Sequence, residues 1–123
     1  MFDVVLYQPE IPPNTGNVIR LCANTGARLH LIEPLGFRMG DKEVRRAGLD
    51  YHEMANVTVH PDLDRCFAML GERRVYALSS KAGANVYAAR FQPADVLLFG
   101  AETRGLPADV LERIPRERRL RLP

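Results

Sequence analysis

The feature that most constrains the fold is a series of short, apolar segments separated by stretches with helical periodicity. Six segments have the character of strands, at residues 2–7, 29–33, 57–60, 75–79, 95–99 and 119–122. Because most are apolar throughout rather than alternating, they are typical of strands buried on both faces of a parallel sheet. Helices are predicted between them at residues 14–25, 42–47, 61–70 and 107–113. This alternation predicts an open, mostly parallel α/β sheet with helices on both faces.

The size and cysteine content favour one domain in a reducing compartment. The chain has 123 residues, and a single domain takes about 100–200. No apolar run approaches the ~20 residues needed to cross a bilayer, and the amino terminus has no basic leader. Cys22 and Cys66 have no second Cys or His at metal-ligand spacing, so we expect both to be buried as small hydrophobes. These features favour a cytoplasmic protein over a secreted or membrane-inserted one.

Charged and nucleophilic residues narrow the function classes. All but Lys42 and Lys81 of the 17 basic residues are arginine, and guanidinium groups suit phosphate oxygens, which modestly favours a nucleic-acid partner. The three histidines (His30, His52 and His60) share no metal-ligand spacing, so we expect structural roles and no metal. Hydrolase and NTPase functions are disfavoured, because the sequence has neither a Gly-x-Ser-x-Gly elbow nor a Walker loop.

A polar cluster follows the first predicted strand, where open parallel sheets bind ligands. Asn14 or Thr15 is predicted to cap the next helix, and Gly26 to end it. Helical spacing predicts two faces: one packs on the sheet (Val18, Leu21, Cys22, Thr25), and the other is polar (Gly16, Asn17, Arg20, Asn24). The polar face is either part of a site or a solvated helix surface.

A glycine-containing loop follows the fifth predicted strand. Gly100 and Gly105 match the outer positions of a dinucleotide fingerprint, but Glu102 replaces the central glycine. A carboxylate there would repel a pyrophosphate at the helix amino terminus. The loop therefore fits a ligand with a neutral or positive head, such as an adenosyl sulfonium, or it is only a tight strand-to-helix turn.

Taken together, these segments resemble the SPOUT class of RNA methyltransferases, specifically the small tRNA wobble-position 2′-O-methyltransferases that act on cytidine or uridine 34. Three segments carry the resemblance: residues 12–26 (PPNTGNVIRLCANTG), 45–52 (RRAGLDYH) and 99–107 (FGAETRGLP). The likeness runs along residues 1–123 as a single domain. It implies an α/β trefoil-knot fold, S-adenosyl-L-methionine as methyl donor, a tRNA anticodon substrate and a homodimer with the site near its interface.

The resemblance also implies the site residues. Arg20, Asn14 and Glu102 match the family's catalytic positions, with Arg20 as the principal one. Cofactor contacts are implied at Leu78, Ser79, Gly100, Gly105 and Leu122. RNA contacts are implied at Arg20, Arg45 and Arg46, and no metal is implied.

The sequence departs from the family pattern after Pro123. The family continues with a Ser- and Asn-rich third motif that closes the knot, so we expect the knot segment to be missing from these residues. The alternative function is a non-catalytic RNA-binding or assembly module with the same fold. A flavodoxin-like or receiver-like signalling domain is disfavoured, because no acidic cluster follows the first strand and Glu102 lies in the glycine loop.

Overall fold

The computed structural model describes residues 2–38 and 54–121, and in these it contains seven strands and three α-helices. The strands are β1 (Asp3–Tyr7), β2 (Arg28–Ile32), β3 (Val57–His60), β4 (Val75–Leu78), β5 (Ala84–Asn85), β6 (Val96–Phe99) and β7 (Arg119–Arg121). The helices are α1 (Pro12–Thr25), α2 (Leu63–Leu70) and α3 (Ala108–Glu112), and 3-10 turns occur at Val86–Ala88 and Arg116–Arg118. The predicted helix at 42–47 lies outside the described residues.

The seven strands form one sheet in the order β3-β2-β1-β6-β4-β7-β5. Every neighbouring pair is parallel, which confirms the predicted parallel α/β architecture. In the central pair, Asp3 aligns with Val96 and Leu6 with Phe99. Strands β1 and β6 therefore end level with each other, at the same rim of the sheet.

Two apolar cores cover the two faces of the sheet, because successive side chains of a strand point to opposite faces. Val5 of β1 belongs to the larger core, while its neighbours Val4 and Leu6 pack into the smaller one. Helices α2 and α3 supply the larger core, through Leu63, Cys66, Leu70, Val110 and Leu111. Helix α1 supplies the smaller core, through Ile19 and Cys22. Strands buried on both sides explain the apolar runs in the sequence.

The buried face of α1 differs from the prediction. The buried residues are Thr15, Gly16, Ile19 and Cys22. Leu21 and Thr25, which were expected to pack on the sheet, are exposed, Leu21 by 61%. The predicted face was rotated because it left out Ile19, which is fully buried in the core that covers the strands on this side of the sheet. Gly26 ends the helix as predicted, with a left-handed φ of 80°.

Gly83 and Asn85 favour a turn after β4, and the structure has a bend at Gly83, but Ala84–Asn85 forms the edge strand β5 beside β7. It is two residues long and carries no apolar run, so its pairing depends on β7 rather than on its own sequence.

Among the described residues, no helix is long and apolar enough to span a membrane.

An ion pair anchors the start of β6. Asp95 is buried, and its carboxylate accepts hydrogen bonds of 2.9 and 2.8 Å from the Arg74 guanidinium and one of 2.7 Å from the Gln92 backbone. The hydrogen bonds from Arg74 hold the pKa of Asp95 below its ordinary value. This pair links the start of β6 to the residue that precedes β4.

We predict that Asp95→Asn lowers the thermal unfolding midpoint by roughly 3–8 °C at pH 7, since the charge-assisted hydrogen bonds are lost. Because the pKa of Asp95 is lower in the folded chain, its stabilisation is complete above the ordinary value of 3.8 and is lost as the pH falls through the folded value. The difference between the parent and variant midpoints should therefore shrink from pH 7 to pH 3, as measured by circular dichroism. A difference that stayed constant over this range would contradict the ionic role.

Candidate functional site

The candidate site lies where the chain leaves β1 and β6 at their common rim. The loop after β1 leads to α1 on one face of the sheet, and the loop after β6 leads to α3 on the other. Adjacent parallel strands whose following helices lie on opposite faces leave a crevice between their carboxyl ends, and open α/β sheets bind ligands there. The topology thus brings together two loops that are about 90 residues apart in sequence.

The two loops are joined by reciprocal carboxylate contacts, which we call the carboxylate clasp (Glu10 and Glu102). The Glu102 carboxylate accepts hydrogen bonds from the backbone N–H of Glu10, at 3.2 Å to each oxygen, and from that of Ile11. In return, Glu10 accepts from the Thr103 N–H at 3.0 Å and from its hydroxyl at 2.8 and 2.9 Å. Hydrogen bonds from the Thr103 backbone and side chain lower the pKa of Glu10.

The clasp compensates for a helix start that has no local cap. Helix α1 begins at Pro12 and Pro13, which have no N–H to satisfy, and Ile11 at the N-cap position has no side-chain hydrogen bond. Asn14 and Thr15, the predicted caps, instead donate backbone hydrogen bonds to the Ile11 carbonyl. Glu102 therefore supplies the negative charge near the amino end of α1 from a different part of the chain. A phosphate could not use the same amides.

Two glycines shape the loop after β6 for different reasons. Gly105 has a φ of 66° and donates its N–H to the Ala101 carbonyl at 2.8 Å, closing a tight turn. Gly100 packs against the same turn so closely that a Cβ would lie 2.2 Å from the Gly105 carbonyl carbon. The loop folds back on itself and turns its backbone toward the crevice.

Two of the pockets beside this loop are lined by both Gly100 and Glu102. One, of about 360 Å³, is mostly apolar and lies between α1 and the sheet; Asn14, Thr15, Gly100 and Glu102 are among its lining residues. The Thr15 hydroxyl is buried there with no hydrogen-bond partner. The second, of about 280 Å³, lies at the carboxyl ends of β4 and β6 and is lined by Leu78, Ser79, Ser80, Phe99, Gly100, Ala101, Glu102 and Gly105.

The predicted site residues fall into three groups. Four implied cofactor contacts, at Leu78, Ser79, Gly100 and Gly105, line the second pocket together with Glu102, while Asn14 lines the first. Arg20 is exposed on α1 and lines neither pocket. It lies eight residues beyond Pro12, or about 12 Å along the helix axis. Arg45, Arg46 and Leu122 lie outside the described residues.

Sequence reasoning missed the partners of the two acidic residues. Glu10 received no role, and Thr103 was treated only as part of the glycine loop. Both sit in short loops at strand ends, a position that marks candidates, but their pairing depends on β1 lying beside β6. That adjacency follows from the strand order rather than from any local pattern.

The fold and site define an all-parallel α/β domain with a ligand crevice at its topological switch point. The chain belongs to the SpoU rRNA Methylase family, whose model matches residues 1–123. It is therefore a methyltransferase by family.

Relatives match along the whole chain. The tRNA (cytidine(34)-2′-O)-methyltransferase of Methylovorus glucosotrophus is 58% identical over 123 residues, which are 100% of this chain and 80% of the relative. The protein of the same name from Escherichia coli K12 is 54% identical, over 100% of this chain and 78% of the relative.

Solved structures share the fold. One, described as giving structural insights into the 2-OH methylation of C/U34 on tRNA, has a TM-score of 0.91 and 46% identity, covering 100% of this chain and 80% of that one. The SpoU methyltransferase AviRb from Streptomyces viridochromogenes, in complex with the cofactor AdoMet, has a TM-score of 0.78 at 17% identity, covering 98% of this chain and 46% of that one. The latter likeness concerns the fold alone.

We predict that Gly100→Ala destabilises the protein by about 1–3 kcal/mol, because the new methyl group would overlap the backbone of Gly105 and Leu106. Gly83→Ala is the matched control, since a Cβ at that position meets nothing within 4 Å, and its free energy of unfolding should stay within about 0.5 kcal/mol of the parent. Chemical denaturation of the three proteins measures both changes. Equal stability of the two variants would contradict the close packing at Gly100.

Proposed function

We propose that this protein methylates the ribose 2′-hydroxyl of the tRNA wobble nucleotide, cytidine or uridine 34, with S-adenosyl-L-methionine as donor. The main support is 54–58% identity along the whole chain to relatives that bear this activity in their names. The meeting of the β1 and β6 loops at one rim adds a physical reason, because it offers one place for a donor and an acceptor. A tRNA substrate would place the reaction in the cytoplasm.

The second pocket suits the proposed cofactor. Gly100 lines it, at a position where a side chain would fill the turn, and Leu78 and Ser79 line it at the end of β4. The Glu102 carboxylate also lines it and bonds the amides that precede α1. S-adenosyl-L-methionine, when bound, supplies an electrophilic methyl group on a positively charged sulfur. An acid-bearing rim tolerates such a cation better than it tolerates a phosphate.

Arg20 is proposed to hold the substrate. A guanidinium stays protonated at neutral pH and is a poor general base, but it binds a phosphate with two parallel hydrogen bonds. We favour Arg20 gripping the phosphate next to nucleotide 34 and so orienting the 2′-hydroxyl. The alternative role is that Arg20 first gives one of its protons to that phosphate and then accepts the proton of the hydroxyl. Orientation of the reacting oxygen supplies much of the barrier reduction in such displacements.

Asn14 and Glu102 are proposed to organise the acceptor side. Asn14 lies in the first turn of α1, three residues after Ile11, whose N–H bonds Glu102, and its side-chain amide can bind a ribose hydroxyl. The Glu102 carboxylate keeps the two loops at a fixed separation, because it accepts hydrogen bonds from the backbone N–H groups of Glu10 and Ile11. Arg45 and Arg46 are proposed RNA contacts, on the resemblance of segment 45–52 to the family.

A homodimer would bring Arg20 and the crevice together. Within one chain Arg20 lies about 12 Å along α1 from Pro12, where the helix begins, and Leu21 beside it is 61% exposed. A second subunit packed on this face would cover Leu21 and offer its own crevice to Arg20. We therefore propose a homodimer whose site lies near the subunit interface.

The test of Arg20 is Arg20→Lys, which keeps the positive charge and loses the two-pronged geometry. We expect methyl transfer to a tRNA anticodon stem-loop to fall at least ~100-fold, measured with radiolabelled methyl donor. Arg65→Lys is the matched control, since Arg65 is exposed on α2, on the opposite side of the sheet, and its rate should match the parent. Near-normal turnover by Arg20→Lys would remove Arg20 from the mechanism.

The alternative function, an RNA-binding module without catalysis, is distinguished by cofactor binding. Isothermal calorimetry should detect saturable binding of S-adenosyl-L-methionine to the parent chain and none of ATP, because Glu102 occupies the amides that a phosphate would use. Saturable tRNA binding with no heat from S-adenosyl-L-methionine would favour the module over the enzyme.

A further inference from the structure

A buried cluster of potential metal ligands lies on the sheet face that α2 covers, away from the rim crevice. It comprises His30 in the middle of β2, His60 at the end of β3 and Cys66 in α2. One ligand atom from each lies within 4.8 Å of the others. The side chains are almost completely buried, with exposures of 3%, 6% and 0%. Sequence spacing gave no sign of this cluster because its members come from three different elements.

The first imidazole is oriented by a carboxylate. His30 Nε2 lies 2.7 Å from Oδ2 of the fully buried Asp3, and Asp3 is held in turn by Arg73 at 2.9 Å and Arg28 at 3.3 Å. Since Nε2 donates its hydrogen to Asp3, Nδ1 carries a lone pair that points into the cluster. A carboxylate on the outer nitrogen of a ligating histidine is the usual support in protein metal sites.

The second imidazole already lies at nearly the required distance. His60 Nε2 is 2.8 Å from His30 Nδ1, so without metal it donates a hydrogen bond there. Bonds of about 2.0–2.1 Å from both nitrogens to one cation require a separation of about 3.5 Å at the ~120° angle of a three-coordinate site. The two nitrogens would need to move apart by about 0.7 Å for that geometry.

Charge decides the type of cation. Asp3 is already matched by Arg28 and Arg73, and Asp62, two residues after His60, is half-exposed and lies 3.9 Å from Arg65. A monovalent cation bound to a thiolate adds no net charge to this buried region, whereas a divalent one leaves an uncompensated positive charge. Thiolate with two imidazoles is also a donor set that suits Cu(I).

We propose that His30, His60 and Cys66 form a buried three-coordinate site for Cu(I). On binding, the Cys66 thiol gives up one proton to solvent and its sulfur bonds the metal. The His60 proton moves from Nε2 to Nδ1, which frees the Nε2 lone pair. His30 keeps its Nε2 hydrogen on Asp3, and no redox change takes place.

The test is anaerobic titration of the purified chain with Cu(I) in competition with the chromophoric chelator bicinchoninate. We expect the parent to withdraw one equivalent and to melt at a higher temperature when loaded. Cys66→Ala should weaken binding by more than ~100-fold, and Asp3→Asn by about 10–100-fold through loss of orientation. Cys22→Ala is the matched control, because Cys22 is a buried helical cysteine in the other core, and it should bind like the parent.

Several results would overturn the proposal. The parent protein could fail to bind Cu(I), a folded Cys66→Ala variant could bind it as tightly as the parent, or the Cys22→Ala variant could lose binding. Each of these results would leave His30 and His60 as a hydrogen-bonded pair only. Displacement of Cu(I) by an equal concentration of Zn²⁺ would contradict the charge argument. Should Cys66→Ala fail to fold, X-ray absorption of the loaded parent decides, since the proposal requires one sulfur and two nitrogen ligands on copper.

Discussion

The contact on which the site depends is the exchange of hydrogen bonds between two acidic side chains and the backbone of each other's loop. Glu102 bonds the amides that precede α1, and Glu10 bonds Thr103. Each loop thus supplies carboxylate oxygens that accept hydrogen bonds from the other loop. The sheet makes the exchange possible by placing β1 beside β6 in a register that ends both strands at one level. The relative position of the two loops at the rim is therefore set by the pairing of β1 with β6 at the centre of the sheet, rather than by either loop alone.

The sequence predicted the larger elements because burial on both faces demands uninterrupted apolar strands. For six of the seven strands, the predicted ends lie within about one residue of the observed ends. For β3 the predicted and observed ends are the same. Helix α1 was found, but its start was placed two residues late, since Pro12 and Pro13 were assigned to the preceding loop. Strand β5 was missed because a two-residue edge strand is defined by its neighbour's hydrogen bonds, which no local pattern records.

The candidate site was predictable in its location and less so in its internal contacts. Polar residues at the ends of two strands, with Gly100 and Gly105, indicated the rim at which the two loops meet. The side-chain partners required knowledge of strand order, which depends on how all the crossovers pack. The same limit applies to the buried cluster of His30, His60 and Cys66: its members lie on separate elements, and only the folded sheet brings them within reach of one another.

The strand order also has a consequence for how the chain is made. The central pair joins Asp3–Tyr7 to Val96–Phe99, so the middle of the sheet cannot close while the ribosome is still translating the intervening segments. During synthesis β1 can pair first with β2, while its other edge stays unpaired until β6, about 90 residues later in the chain, has been made. An unpaired apolar strand edge is a site of aggregation, so the nascent chain is exposed to this risk until the long-range pairing of β1 with β6 forms.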